Sequence, residues 1–365
     1  MLFRSIADDL HLMDWLQNHI WPAEGKHVSA QFVREGTQLA MAEMLRSGTT
    51  CFNDMYFFPD EAARAVDEAG MRASISLIAI DFPSAWASSA DDYLHKGLAV
   101  YDQYREHALI TTVFGPHAPY TVSDAALEKI RTYADELDVQ IQMHVHETAH
   151  EVEDAQKHTG ERPLARLQKL GLVTPRLMAV HMTQLSDAEI VMLGASGAHV
   201  IHCPESNLKL ASGYCRVHDL LQGGVNVALG TDGAASNNDL DMFSEMRTAA
   251  LLAKTVGNDA SALPAARALR MATLNGAKAL GIDAVTGSIT PGKAADLTAV
   301  TLGSPETQPV YHPISQLVYA AGREHVTDVW VGGKHLLKDR ELTTIDLQAV
   351  LARAREWQVK MKPFD

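Results

Sequence analysis

Short apolar runs alternate with amphipathic stretches between residues 28 and 254, and this alternation limits the possible folds more than any other feature of the chain. The amphipathic stretches have the spacing of helices, for example Val28–Arg46, Ser123–Leu137, Asp187–Leu193 and Leu240–Lys254. Strands that alternate with helices predict βα units and a parallel sheet. The runs that we predict to be strands are Thr49–Asn53, Ala73–Ile80, Leu109–Phe114, Val139–Val145, Leu177–His181, Ala198–His202 and Val225–Leu229.

The number of these strands indicates a barrel. A closed (β/α)8 barrel of the TIM type has eight strands, and the sequence supplies seven. Two long helical segments follow the last strand, and Asp8–Trp21 before the first one has the pattern of a helix or a structured loop. We therefore expect an α/β fold with a TIM-type barrel that lacks its first strand, and we expect that strand upstream of Met1.

The composition changes after about Gly281. Gly287–Val300, Gln316–Tyr319 and Val326–Leu337 have the pattern of short strands with glycine-rich turns, and Leu347–Lys360 has that of a final helix. We predict a barrel over residues 1–284, a small β element over 285–345, and a C-terminal helix and tail over 346–365.

Charge and cysteine content restrict the partners and the compartment. The formal net charge of −14 argues against nucleic acid, which requires basic patches, and gives no support to an anionic membrane surface. Three cysteines without a CxxC pair are not a disulfide framework. The N-terminus lacks the pattern of a signal peptide, and no apolar window is long enough to span a membrane. We expect a cytoplasmic protein without nucleic-acid or membrane partners, which can form a homo-oligomer.

Chemically active side chains follow the predicted strands. His117 follows the third run, His144 and Glu147 close the fourth, His181 closes the fifth and Asp232 follows the seventh. The carboxyl ends of barrel strands meet at one mouth, so these side chains should converge there. Imidazole and carboxylate ligands suit Zn²⁺ or Fe²⁺, which activates water for hydrolysis.

The segment His144–Glu147 offers several candidates. Side chains alternate along a strand, so His144 and His146 share a face, and both can point inward. We take His144 as the metal ligand and His146 as a structural or supporting histidine, and we take His202 as structural. Glu147 lies just beyond the strand, where a carboxylate can serve as the general acid and base of a hydrolysis.

Three motifs resemble the amidohydrolase superfamily, and more narrowly its branch of methylthioadenosine/S-adenosylhomocysteine deaminases and triazine hydrolases. They are the run from His202 to Leu210 (HCPESNLKL), the segment from Gly230 to Asn238 (GTDGAASNN) and the segment from Gly287 to Leu297 (GSITPGKAADL). The resemblance covers nearly the whole chain. It implies that the C-terminal strands are half of a composite β-sandwich.

The resemblance also implies roles for single residues. By position, His144 and Asp232 resemble metal ligands, Glu147 the proton shuttle, and His181 the histidine near the reactive water. The substrate-binding positions of the deaminases correspond to Trp15, Glu24, His117 and Glu147, with Glu24 suited to two ribose hydroxyls.

Two departures from the family pattern stand out. The HxH pair of the first strand, which supplies two further metal ligands, is expected upstream of Met1. Residues 81–87, which follow the run Ala73–Ile80, contain no arginine. Some family members have arginines in this region that meet the ribose or amino-acid tail of the substrate. Their absence here favours methylthioadenosine over S-adenosylhomocysteine.

The expected function is hydrolytic deamination of the 6-amino group of adenine nucleosides with one Zn²⁺ per subunit, or Fe²⁺ in its place. Adenosine and S-adenosylhomocysteine are further possible substrates. One alternative is a deaminase or chlorohydrolase acting on guanine or a triazine. Another is an inactive, truncated barrel that serves as an interaction protein.

Overall fold

The predicted runs form one parallel sheet. The structure, a computed structural model, describes residues 1–361, and seven strands pair in it in their order along the chain. Every predicted strand of this sheet overlaps an observed one, and the α/β fold class is confirmed. The strands are β1 (Cys51–Asp54), β2 (Arg72–Ala79), β3 (Ile110–Pro116), β4 (Ile141–Val145), β5 (Leu177–His181), β6 (His199–His202) and β7 (Asn226–Leu229).

The parallel arrangement brings the carboxyl ends of all seven strands to the same end of the sheet. Strands β1 and β2, for example, pair without a register shift, from Cys51 opposite Arg72 to Asp54 opposite Ile75. Strand β2 is buried at every residue, as expected for a parallel strand that is covered on both faces. Strands β1 and β7 are the two edges of the sheet.

Helices cover the sheet and fill its connections. Helix α3 begins where Ser29 accepts a hydrogen bond from the backbone N–H of Phe32, and α4 ends at Gly70, whose φ of 71° is left-handed. In residues 1–361, no helix has both the length and the apolar character needed to cross a bilayer. The helices up to β7 are α1 (Leu12–Asp14), a π-helix (Trp15–Ile20), α2 (Trp21–His27), α3 (Ala30–Arg46), α4 (Pro59–Ala69), α5 (Ala90–Tyr104), α6 (Asp124–Leu137), α7 (Ala149–Thr159), α8 (Pro163–Lys169), α9 (Asp187–Ser196), α10 (Pro204–Lys209) and α11 (Val217–Gln222).

The C-terminal part forms a separate antiparallel sheet. Its strands are β8 (Leu297–Val300), β9 (Val326–Val331), β10 (Lys334–Lys338) and β11 (Glu341–Leu342), in the order β11-β10-β9-β8. The helices after β7 are α12 (Met242–Val256), α13 (Ala265–Met271), α14 (Leu274–Ala279), α15 (Pro313–Tyr319) and α16 (Leu347–Lys360), with 3-10 turns at Pro305–Thr307 and Arg323–His325. The predicted final helix is confirmed, and residues 362–365 of the predicted tail lie outside the described residues.

One predicted strand is wrong. Gln316–Tyr319 belongs to helix α15, which begins at Pro313 and packs against α12 and α13. Proline is well tolerated in the first turn of a helix, and Val318 is buried in this one. The predicted strand at Gly287–Val300 is confirmed only over its last four residues, Leu297–Val300.

A buried ion pair joins the two sheets. Nε of Arg72 at the start of β2 lies 2.6 Å from Oδ2 of Asp296, just before β8, and the two side chains are only 7% and 1% exposed. The hydroxyl of Thr298 also donates to the carbonyl of Gly48, at 2.6 Å. Both contacts fix the small sheet against the amino-terminal end of the large one. The domain boundaries at residues 284 and 345 stay a prediction.

Candidate active site

A cavity of about 850 Å³ runs through the inside of the curled sheet and reaches the carboxyl ends of its strands. Its wall is largely apolar, with a small set of polar and titratable side chains, as is usual for sites that bind small molecules. Every side chain predicted from the sequence to belong to the site lines this cavity. These side chains are Trp15, Glu24, His117, His144, Glu147, His181 and Asp232.

Three histidines stand side by side in the cavity. The ring centroids of His117 and His144 are 5.0 Å apart, and those of His144 and His181 are 5.5 Å apart. Burial lowers the pKa of His117 to about 3, and burial together with the neighbouring His181 also lowers the pKa of His144. Both imidazoles are therefore neutral near pH 7, which is the form that binds metals or hydrogen-bonds a substrate.

The orientation of His144 is fixed by the backbone. Its Nδ1 lies 2.7 Å from the carbonyl oxygen of His117. A carbonyl can only accept, so Nδ1 carries the proton, and Nε2 is left with a free lone pair. Metal-binding histidines commonly have this arrangement, in which the second nitrogen donates to a carbonyl.

His181 is fixed in the same way by a side chain. Its Nδ1 lies 2.8 Å from Oδ1 of Asn207, and Nε2 lies 3.6 Å from Oε2 of Glu147. The imidazole is 1% exposed. Donation from Nδ1 to Asn207 leaves Nε2 as an acceptor that faces the same space as Glu147.

Glu147 is a carboxyl whose ionisation is strongly disfavoured. Burial and the nearby charge of Asp232 raise its pKa to about 8. Its backbone is held on two sides. The carboxylate of Glu151 accepts from the N–H groups of both His146 and Glu147, at 3.0 and 2.7 Å, and the hydroxyl of Thr183 donates to the carbonyl of Glu147 at 2.7 Å.

Asp232 is the opposite case, an ionised carboxylate. Burial alone would raise its pKa, but the neighbouring His181 and His144 and a hydrogen bond from Ser206 lower it below the ordinary value. The hydroxyls of Ser206 and Ser236 donate to Oδ2 at 2.7 and 2.8 Å, and the N–H of Gly233 donates to Oδ1 at 2.6 Å. Two carboxyls with opposite pKa shifts thus share one cavity, an arrangement typical of acid/base catalysis.

Helical residues at the N-terminus line another part of the cavity. The indole N–H of Trp15 donates to the carbonyl of Ala7 at 3.1 Å, and its ring is buried. Burial raises the pKa of Glu24 in helix α2 to about 7, opposed by a 2.6 Å hydrogen bond from the hydroxyl of Tyr56. This part of the cavity presents an aromatic surface beside one carboxyl group.

Comparison with known proteins identifies the family of this chain. The sequence profile of the amidohydrolase family matches residues 2–336. This chain belongs to the amidohydrolase family. Similar proteins include the 5-methylthioadenosine/S-adenosylhomocysteine deaminase of Teredinibacter turnerae, 55% identical over 360 residues, which are 99% of this chain and 81% of that protein. The 5'-deoxyadenosine deaminase of Methanothermobacter thermautotrophicus is 45% identical over 355 residues, 97% of this chain and 82% of that protein.

A solved structure agrees with this assignment. The crystal structure of an adenosine deaminase from Xanthomonas campestris with bound zinc has a TM-score of 0.98 to this amidohydrolase and 56% identity. The match covers all of this chain and 83% of the other. The resemblance that the three sequence motifs indicated is therefore confirmed, and so is the TIM-type fold that the strand pattern predicted.

The donor chemistry of this amidohydrolase fits a divalent metal at two positions. His144 offers a neutral nitrogen with a free lone pair, and Asp232 is an ionised carboxylate that lies near His144. Imidazole and carboxylate are ligands that zinc accepts. Within residues 1–361, no group of three or more His, Cys, Asp or Glu side chains forms a complete metal site.

His146 does not share the cavity with His144, although strand alternation allows it. The backbone of His146 is left-handed, with φ of 53°, so the alternation ends at Val145. Its side chain is buried, and Nε2 accepts from the N–H of Leu164 at 3.2 Å. The interpretation of His146 as structural agrees with this placement. His202 is likewise buried and lies outside the set of residues lining the cavity.

Sequence reasoning missed the side chains that support the site. Ser206, Asn207 and Ser236 lie within the motifs that carry the family resemblance, but no role followed from their position alone. The contacts of Ser206 with Asp232 and of Asn207 with His181 each span 26 residues of sequence. The sequence did contain one signal for these residues: each carries a hydroxyl or amide and lies within a few residues of the carboxyl end of a predicted strand, where the candidate catalytic residues also lie.

Proposed function

We propose that this protein is a hydrolytic deaminase that removes the 6-amino group of adenine nucleosides such as 5-methylthioadenosine and releases ammonia. The observation that carries the proposal is the pair Glu147 and Asp232, which line one cavity and whose pKa values are shifted in opposite directions. Deaminations of this kind require a group that gives a proton and another that takes one. The similarity to deaminases of adenine nucleosides supports the same reaction.

Glu147 is proposed as the proton donor to the ring. With a pKa of about 8, its carboxyl carries a proton at neutral pH. It donates that proton to N1 of the purine, so that negative charge does not accumulate on the ring while water adds to C6. An acid whose pKa lies near the working pH is well matched to this task.

Asp232 and His181 are proposed to handle the attacking water. The ionised Asp232 accepts a proton from this water. His181 accepts a hydrogen bond from the same oxygen through Nε2, because its Nδ1 is committed to Asn207. The proton taken up by Asp232 then passes to the amino group, which leaves as ammonia. The hydroxyl proton of the adduct returns to Glu147 as the oxygen on C6 becomes a carbonyl.

One Zn²⁺ per subunit is proposed at His144 and Asp232, with Fe²⁺ as the alternative. When bound, such an ion supplies Lewis-acid activation of water. His144 holds its free nitrogen toward the site because the carbonyl of His117 fixes the other nitrogen. Hydrogen bonds from Ser206, Ser236 and Gly233 hold the carboxylate of Asp232 in place.

Substrate recognition is proposed to involve Trp15, Glu24 and His117. The aromatic face of Trp15 suits an apolar surface of the nucleoside, and the carboxylate of Glu24 suits two ribose hydroxyls. His117, which is neutral and lines the cavity beside His144, can hydrogen-bond the purine. A cytoplasmic location, homo-oligomer formation and the lack of nucleic-acid and membrane partners also remain predictions.

The test is a substrate panel with the full-length protein prepared in zinc. Ammonia release and the loss of adenine absorbance are measured for 5-methylthioadenosine, adenosine, S-adenosylhomocysteine, guanine and an aminotriazine, and elemental analysis counts the metal. We expect turnover of the adenine nucleosides and about one zinc per chain. A folded, metal-loaded protein that ignores every 6-aminopurine nucleoside contradicts the proposal, and activity only on guanine or the triazine supports the alternative ring.

A further inference from the structure

Tyr56 makes a contact that the proposed reaction does not use. It lies two residues beyond the end of β1, and its side chain lines the cavity. Its hydroxyl donates to Oε1 of Glu24 at 2.6 Å, which joins the end of a barrel strand to helix α2 across 32 residues of sequence. The ring of Phe57 packs beside that of Tyr56, with centroids 5.2 Å apart.

The chemistry of this pair is directional. Burial and the charge of Glu24 raise the pKa of Tyr56 well above its ordinary value, so the phenol keeps its proton and acts as a donor. Glu24 can then act as acceptor, and the bond from Tyr56 opposes the rise in its pKa that burial causes. The other ionisable groups near the pair are Tyr93, whose pKa the charge of Glu24 raises, and Asp54, whose charge raises the pKa of Tyr56.

Among the residues that the structure describes, the cavity wall contains neither lysine nor arginine. A carboxylate without a cation can turn about its side-chain torsions, and fixing it costs conformational entropy on binding. A hydrogen bond to one oxygen fixes the carboxylate before the ligand arrives and leaves the other oxygen available to the ligand.

We propose that Tyr56 is a positioning residue that holds Glu24 ready for the ribose diol of the substrate. Tyr56 thereby contributes to the preference for ribosides over ligands without the 2' and 3' hydroxyls, although it need not touch the substrate itself. This inference rests on the proposed function, because it requires Glu24 to contact the ribose.

The test compares adenosine with 2',3'-dideoxyadenosine in Tyr56→Phe, a variant that removes only the hydroxyl. The quantity measured is the ratio of kcat/KM for the two substrates. We expect Tyr56→Phe to lower this ratio about tenfold, the usual effect of losing a hydrogen bond to a charged group, mainly through KM for adenosine. Tyr56→Leu lacks the same hydroxyl and should lower the ratio too. Tyr104→Phe, which removes a hydroxyl from a buried tyrosine outside the cavity wall, is the matched control and should leave the ratio unchanged.

A pH profile provides a readout that a merely structural role does not alter. In the unmodified protein, KM for adenosine should fall as the pH rises through about 7, where Glu24 ionises. Without the hydrogen bond from Tyr56, the pKa of Glu24 rises further, so this fall in KM should occur at higher pH in Tyr56→Phe. The ratio to 2',3'-dideoxyadenosine removes contributions from other titrating groups.

A double-mutant cycle with Glu24→Ala separates the positioning role of Tyr56 from the ribose contact of Glu24. If Tyr56 acts through Glu24, Tyr56→Phe lowers the ratio in the unmodified protein but not in the Glu24→Ala background. If Glu24→Ala lowers the ratio and Tyr56→Phe does not, or if Tyr56→Phe impairs both substrates equally, the positioning role is wrong while the ribose contact stands. If Glu24→Ala leaves the ratio unchanged, the ribose contact itself is wrong, and the role of Tyr56 is wrong with it.

Discussion

The cavity has two walls that are built in different ways. The reaction wall, made of His144, Glu147, His181 and Asp232, comes from the ends of parallel strands and the loops directly after them. The recognition wall, made of Trp15, Glu24 and Tyr56, comes from the N-terminal helical segment and the loop after β1. The first wall is anchored in the sheet, and most of the second is not.

The two walls also differ in how their polar groups are held. Among the described residues, the carboxylate of Asp232 receives three hydrogen bonds, from Ser206, Ser236 and Gly233, whereas that of Glu24 receives one, from Tyr56. Groups that must meet a transition state need a tightly fixed geometry, whereas groups that only bind the substrate tolerate more freedom. We infer that changes in the reaction wall reduce turnover and that changes in the recognition wall alter selectivity.

The largest effect is expected in the reaction wall. Glu147→Gln keeps the shape of the side chain but removes the transferable proton, so kcat should fall at least about a hundredfold. The metal content should stay the same, because Glu147 is proposed as an acid and not as a ligand. Steady-state kinetics and elemental analysis check both points, with the exposed Glu153→Gln in helix α7 as the control. Loss of the metal in Glu147→Gln would make Glu147 a ligand instead.

Glu24→Ala tests the recognition wall. Losing a hydrogen bond to a charged acceptor costs roughly 1.5–3 kcal/mol, which is about ten- to a hundredfold for each bond, so kcat/KM for adenosine should fall at least about tenfold. Binding of free adenine, which has no ribose, should change little. Equal losses for ligands with and without ribose would show that Glu24 does not contact the sugar, and would remove the functional distinction between the walls.

A smaller effect is expected when a support of the reaction wall is removed. Asn207→Ala deprives Nδ1 of His181 of its acceptor, so the ring loses its fixed orientation, and kcat should fall about tenfold. Asn207→Asp keeps an acceptor oxygen at the same position and should restore most of the rate. If both variants have the same rate as the unmodified protein, Asn207 does not orient His181 in the reaction.

The smallest effect concerns stability in the recognition wall. Burial raises the folded-state pKa of Glu24 from 4.5 to about 7, so the folded protein binds more protons than the unfolded chain in this interval. The contribution of Glu24 to stability therefore declines as the pH rises from about 4.5 to 7. The difference in Tm between Glu24→Gln and the unmodified protein should therefore shift in favour of the variant as the pH rises over this range. The control is Glu106→Gln, at an exposed position, for which this difference should stay constant. A constant difference in Tm across the range would contradict the raised pKa.

Much of the fold and the outline of the reaction wall followed from the sequence. Parallel strands that alternate with helices have few arrangements open to them, and their carboxyl ends must meet, so His144, His181 and Asp232 could be placed together before any coordinates. Side chains of the recognition wall were harder to place. Trp15 and Glu24 were found through the family resemblance, and Tyr56 was not found.

What the sequence determined by itself is therefore local order: which runs become strands, in which order they pair, and which residues stand at their ends. Only the tertiary structure decided the details that depend on long-range contacts. A left-handed backbone at His146 removes it from the cavity, packing against α12 and α13 makes Gln316–Tyr319 helical, and a single hydrogen bond brings Tyr56 to Glu24. The physical reason is that periodicity records which face of an element is buried, whereas the partner of a polar side chain depends on elements far away in the sequence.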